Sequence, residues 1–99
     1  MIVVRDIFQI KFGKAAEFKA AMLEGKKFFD EAGMKDVRMM SDVVANFYTF
    51  VLESSFDSLT AMESALAAGM SNSEWHKWYH NTVCPLCESG RREIFSVFG

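Results

Sequence analysis

The stretch Ala45-Asn46-Phe47-Tyr48-Thr49-Phe50-Val51-Leu52-Glu53 decides how this chain must be assembled. Successive side chains of a strand point to opposite sides of the sheet. Read as a strand, the stretch therefore sets Phe47, Thr49 and Val51 on one face against Tyr48, Phe50 and Leu52 on the other. Both faces are apolar, whereas a sheet with one wet face alternates apolar with polar residues. The first strand, Ile2 to Lys11, repeats the pattern, with Val4, Asp6, Phe8 and Ile10 opposed to Val3, Arg5, Ile7 and Gln9. The last, Arg91 to Phe98, sets Phe95 and Val97 against Ile94 and Phe98. A short strand from Val37 to Met40, followed by turn chemistry at Ser41 and Asp42, makes a hairpin with the opening stretch.

Between the strands the apolar period changes to helical. Ala15, Phe18, Met22, Gly25, Phe29 and Ala32 place one helix from Lys14 to Ala32, with Gly33 beyond its C-terminal end. Gly25 inside that helix costs about 1 kcal/mol against alanine, which points to close packing there. Ser54 or Ser55 is the expected cap of a second helix carrying Phe56, Leu59, Met62, Ala65 and Leu66, ended by Gly69. Ser71-Asn72-Ser73 opens a third helical segment on which Trp75, Trp78, Tyr79 and Thr82 share a face. Pro85 stops it near Cys84, and Ser89-Gly90 reads as a turn.

The order is β-α-β-β-α-β, with the second helix split, in a single domain spanning residues 1–99. This is an α+β chain of ferredoxin-like type, an antiparallel sheet with its helices on one face. The helices leave the second apolar face uncovered. Another copy of the same sheet is the simplest cover, so the chain is expected to form a homodimer through the open sheet face.

Composition excludes more partners than it names. Eleven Lys and Arg against thirteen Asp and Glu give a net charge of −2, and 51% of the residues are hydrophobic. Neither nucleic acid nor an anionic membrane surface would find a basic footprint, and disorder is excluded by the apolar content. The densest apolar run, Val43 to Leu52, is far shorter than the roughly 18–20 residues needed to span a bilayer. Met1-Ile2-Val3-Val4-Arg5 has no basic region ahead of its apolar residues, so no signal peptide is expected. The expected location is cytoplasmic, where Cys84 and Cys87 would be reduced thiols.

Two stretches carry a family resemblance. Phe8-Gln9-Ile10-Lys11-Phe12-Gly13-Lys14 is similar to a strand-to-helix signature usually written F-x-V-K-P-G-K. Trp75-x-x-Trp78, then Pro85-Leu86 and Ser89-Gly90-Arg91-Arg92-Glu93-Ile94-Phe95, is similar to the C-terminal signature of the same group. The chain thus resembles the dimeric α+β barrel superfamily, in its NIPSNAP-like branch. It departs in having Phe12 where proline is frequent, and in carrying Cys84 and Cys87. The resemblance implies two sheets packed face to face as a barrel, with a cleft between sheet and helices in each protomer. The superfamily includes cofactor-free monooxygenases, lactone isomerases, heme-binding and heme-degrading proteins, and many members without known activity.

The candidate ligand-binding residues are Arg5, Arg38, Tyr48, Trp75, His76 and Tyr79. Trp75, Tyr79 and His76, together with Trp78, would line an aromatic cleft, while Arg5, Arg38 and Tyr48 interrupt otherwise apolar strands. A charge pointing into a barrel must be paired or bind an anion, and Asp6, Asp42 and Glu53 are available partners. His76, His80, Cys84 and Cys87 have ligand chemistry suited to zinc. A continuous helix, however, would spread residues 76 to 87 over about 16 Å, too far for one ion. Cys84-Pro85-Leu86-Cys87 falls at a helix C-terminus, where the dipole disfavours a thiolate. No metal and no cofactor is expected. The expected role is binding of a small apolar or aromatic molecule in the cleft, with no catalytic residues assigned. The alternatives are a cofactor-independent monooxygenase or isomerase, with Arg5 or Arg38 stabilising an enolate-like anion, and a heme binder using His76 or His80.

Overall fold

A computed structural model describes residues 1–99. Four strands, β1 (Ile2–Ile10), β2 (Lys35–Ser41), β3 (Thr49–Phe56) and β4 (Cys87–Ser96), form one sheet in the order β2-β3-β1-β4. Every neighbouring pair is antiparallel. The helices are α1 (Ala15–Glu24), α2 (Lys26–Glu31), α3 (Leu59–Met70) and α4 (Ser73–Trp78). A π-helical turn, Tyr79–Val83, and a 3₁₀ turn, Cys84–Leu86, join α4 to β4. The α+β, ferredoxin-like order is therefore as expected, with the second helix split between α3 and α4.

The even-numbered residues of β1 and β3 face the helices. Ile10, Phe50 and Leu52 pack with Phe18, Ala21, Met22, Phe29 and Val83 in one core cluster, and Val4, Phe56 and Met62 form a second. Phe18 meets Phe50 edge-on at 4.9 Å between ring centroids. The odd-numbered face has no helix over it. There Val3 lies opposite Phe95, and Ile7 and Met40 both lie opposite Val51.

The expected long first helix is two helices, α1 and α2, meeting at Gly25. A Cβ at Gly25 would lie 2.1 Å from Cζ2 of Trp78, so the indole occupies the space a side chain would need. The Trp78 Nε1 donates to the Ala21 carbonyl at 2.9 Å, fixing the ring against the helix junction. The close packing anticipated at Gly25 is this contact.

Strand boundaries shift for local reasons. β3 starts at Thr49, not Ala45, because Tyr48 has φ +61°, outside any strand conformation. Asp42 closes the hairpin instead, its carboxylate accepting from the Thr49 N–H at 3.0 Å. At its other end β3 runs on to Phe56, since Ser54, Ser55 and Phe56 pair with Val4, Val3 and Ile2. The cap of α3 is consequently Ser58, whose Oγ accepts from the Ala61 N–H at 3.1 Å, and not Ser54 or Ser55. Ser89-Gly90 is likewise not a turn but part of β4, opposite Gln9 and Phe8.

The two helical glycines predict opposite effects. Gly25→Ala must displace the Trp78 ring and should destabilise the fold by about 1–3 kcal/mol in urea denaturation. Gly69→Ala, in α3 with open space around its Cβ, should stabilise it by about 0.5 kcal/mol. A Gly25→Ala protein as stable as the parent would contradict the packing described.

Candidate functional site

A cavity of about 780 Å³ lies between the helix-facing side of the sheet and α2, α3 and α4. Its floor is made by Asp6 and Phe8 of β1, Leu52 and Phe56 of β3, and Gly90 and Arg92 of β4. Phe28, Phe29 and Met34 form one side, Ala65, Leu66 and Gly69 of α3 another, and Asn72, Trp75, Trp78 and Tyr79 the end. The volume is within the range typical of small-molecule sites, and the lining is mostly apolar.

Local chemistry sets the aromatic end. Asn72 caps α4, its side-chain oxygen accepting from the N–H groups of Glu74 at 3.0 Å and Trp75 at 3.3 Å. One turn on, Tyr79 stacks on Trp75 with centroids 4.9 Å apart and planes 12° apart. The π-helical turn then widens the backbone, with the Cys84 N–H reaching back to the Tyr79 carbonyl. Burial pushes the Tyr79 phenol pKa up, with further contributions from Cys84 and Cys87, a hydrogen bond to Cys84, and Asp6. The phenol is therefore a protonated hydrogen-bond donor at neutral pH.

The floor holds one ion pair. Asp6 and Arg92 are opposite each other on β1 and β4. Arg92 donates from Nε and Nη2 to the two carboxylate oxygens, at 2.5 and 3.2 Å. Their side chains are 17% and 41% exposed, so the carboxylate is largely covered while the guanidinium reaches the cavity. Hydrogen bonding to Asp6 raises the Arg92 pKa further. Asp6 uses two of the five guanidinium hydrogens, leaving the outer edge of Arg92 as a donor.

The structure separates the six candidate residues. Trp75 and Tyr79 line the cavity. His76 does not: its ring lies within hydrogen-bond reach of the Met70 carbonyl and stacks on His80, centroids 5.4 Å apart. Tyr48 sits in the β2–β3 loop, its ring edge-on to Phe12 at 4.9 Å. Arg5 and Arg38 are on the opposite face of the sheet, because odd positions of β1 point away from the helices. Both clasp Glu53, Arg5 at 3.2 Å and Arg38 at 2.9 Å. The strand registers line up Arg38, Glu53, Arg5 and Glu93 as one row of alternating charge across all four strands. Asp6 and Arg92 were missed by the sequence reading, although Asp6 stood alone among Val4, Phe8 and Ile10. A single charge on an apolar strand face was the available signal. No group of three or more His, Cys, Asp or Glu side chains is arranged to hold a metal ion. No helix is long and apolar enough to cross a membrane.

Solved structures share this architecture closely. A NIPSNAP domain protein from Burkholderia xenovorans superposes with a TM-score of 0.90 at 14% identity, over 99% of this chain and 95% of that one. The fold is that of the NIPSNAP domain proteins. A NIPSNAP family protein from Agrobacterium tumefaciens gives a TM-score of 0.88 at 17% identity, covering 96% and 90% of the two chains. SnoaB, a cofactor-independent oxygenase from Streptomyces nogalater, gives 0.75 at 14% identity, covering 99% and 93%. The likeness at these identities is one of fold, and it meets the resemblance read from the sequence. No family model and no curated protein matches the sequence.

Glu53 gives the open face a pH dependence. The hydrogen bond from Arg38 lowers its pKa most, against the opposing effect of burial, with the Arg38 charge and Arg5 adding to the lowering. A carboxyl with a lowered folded-state pKa contributes stability above its unfolded pKa, and that contribution is lost as pH falls through the folded value. Urea midpoints measured on acidification through the carboxylate range should therefore fall more for the parent than for Glu53→Gln. Parallel pH profiles would remove this role from Glu53.

Proposed function

We propose that the chain binds a small apolar or aromatic molecule in the cavity between sheet and helices, as one half of a homodimer. The observation that carries the ligand reading is the polarity of the cavity. Its polar lining is richer in donors than in acceptors: Arg92, Arg91, the Tyr79 hydroxyl, the Trp75 indole and the Asn72 amide, against the carboxylates of Glu31 and Asp6. The Asp6 carboxylate is occupied by Arg92. Such a lining suits a ligand with an apolar, ring-bearing body and an acceptor oxygen such as a carboxylate, phenolate or carbonyl.

The dimer reading rests on the uncovered face. Phe95 is 47% exposed and Met40 36%, on the same face as Val3, Ile7 and Val51. A second sheet would remove this surface from water and meet the charged row of Arg38, Glu53, Arg5 and Glu93. A cytoplasmic location accords with two cysteines that are free thiols.

An enzymatic reading has one specific observation in its favour. Arg92 is a cation on the floor of a mostly apolar cavity, with Arg91 also in the lining, an arrangement suited to an enolate-like anion. SnoaB, of the same fold, is a cofactor-independent oxygenase. In this reading Arg92 takes the role expected of Arg5 or Arg38, which face away. Heme binding has less support, since neither His76 nor His80 lines the cavity.

Two experiments test these readings. 2-Naphthoate, an aromatic carboxylate, should quench the tryptophan fluorescence saturably in the parent. Ala65→Phe, which fills the cavity from α3, should weaken that binding at least about tenfold with the thermal midpoint retained. Unsaturable quenching, or equal binding by the variant, would overturn the ligand reading. Sedimentation equilibrium should give a dimer for the parent and a folded monomer for Ile7→Glu. A monomeric parent at micromolar concentration would overturn the dimer reading.

A further inference from the structure

Neither Cys84 nor Cys87 lines the cavity, Cys87 packing at the margin of the core, and a single turn brings the two together. Cys84 opens the 3₁₀ turn, and the Cys87 N–H donates to the Cys84 carbonyl, closing it. Cys87 is the extended residue that follows the turn, and three rises of about 2 Å put the two Cα atoms roughly 6 Å apart. That spacing lies within the range of about 4.4–6.8 Å that a disulfide spans. Pro85 holds its own φ in the turn conformation, which limits the ways the two thiols can separate. The two are unequal in access: Cys84 is exposed, while Cys87 is partly covered with its Sγ 3.5 Å from the Val83 carbonyl.

We propose that Cys84 and Cys87 are a reversible dithiol site that reacts with low-molecular-weight disulfides, Cys84 as the attacking thiol and Cys87 as the resolving one. The Cys84 thiolate attacks one sulfur of the small disulfide, forming a mixed disulfide and expelling one thiolate. The Cys87 thiolate then attacks the Cys84 sulfur, forming the intramolecular bond and expelling the second thiolate. Two protein thiols are oxidised, one small disulfide is reduced to two thiols, and the protons lost by Cys84 and Cys87 go to the leaving thiolates. Burial first, and Cys84 second, push the Cys87 thiol up to about 11. The closing step consequently accelerates with rising pH. The proposal does not rest on the ligand reading, although Cys84 bonds to the Tyr79 phenol and its turn hangs from the Tyr79 carbonyl at the end of the cavity.

The test uses the reduced full chain, oxidised glutathione, alkylation of remaining thiols and intact mass spectrometry. The parent should lose both alkylatable thiols and two hydrogen atoms, without a retained glutathione. Cys87→Ser should stop at a single glutathione adduct, and Cys84→Ser should react at least about tenfold more slowly than Cys87→Ser. The proposal is overturned if the parent keeps both thiols, if it accumulates a stable glutathione adduct, or if it closes only between chains. Equal reaction rates for the two serine variants would overturn the assignment of the attacking thiol.

Discussion

The molecule is governed by a sheet that is apolar on both sides but has helices for only one. Every strand of a βαββαβ chain sends alternate residues to each face, and α1 to α4 lie on the even-numbered side of β1 and β3. The covered face becomes core and cavity. The uncovered face keeps Val3, Ile7, Val51 and Phe95, together with a cross-strand row of charges in which Glu53 is held by Arg5 and Arg38. Apolar area left in water forfeits roughly 25 cal/mol per Å², so a face of this kind favours a partner sheet. The charged row limits which registers of that partner are tolerated, since unpaired charges at a dry interface are costly.

On the covered side, one contact shapes the available space. Trp78 sits against Gly25 and bonds to the Ala21 carbonyl, tying the α1–α2 junction to α4. That tie fixes α4 at the cavity end, and the α4 cap at Asn72 places Trp75 and Tyr79 along it. The cavity is closed below by Asp6 and Arg92, a charge pair set into an apolar strand face. Burying ions costs free energy unless they are paired and hydrogen-bonded, and replacing such a pair by apolar residues is often neutral or stabilising.

The sequence made the order of elements, the two-sided strands and the close packing at Gly25 legible, because each leaves a local periodic or compositional mark. The start of α4 within Ser71-Asn72-Ser73 was legible for the same reason, though not which of the three caps it. The conformation of Tyr48 was not, since a left-handed φ at a tyrosine is imposed by the hairpin around Asp42 and Thr49 and not by its own preference. Nor was the role of Arg5 and Arg38. Alternation showed that Arg5 and Asp6 point oppositely, yet only packing decides which of them looks toward the helices. The same ambiguity hid Arg92, whose neighbour Arg91 has the opposite parity on β4.

On the proposed function, the two apolar faces of one sheet have separate tasks, one for a ligand and one for a second chain. Amide and indole chemical-shift mapping by NMR during titration with 2-naphthoate tests this division directly. The account predicts shifts at Met34, Leu66, Trp75, Tyr79 and Arg92, including the Trp75 indole, with Val3, Ile7, Val51 and Phe95 unmoved. Shifts concentrated on the latter group would mean that the naphthoate merely covers the open face, and would contradict it.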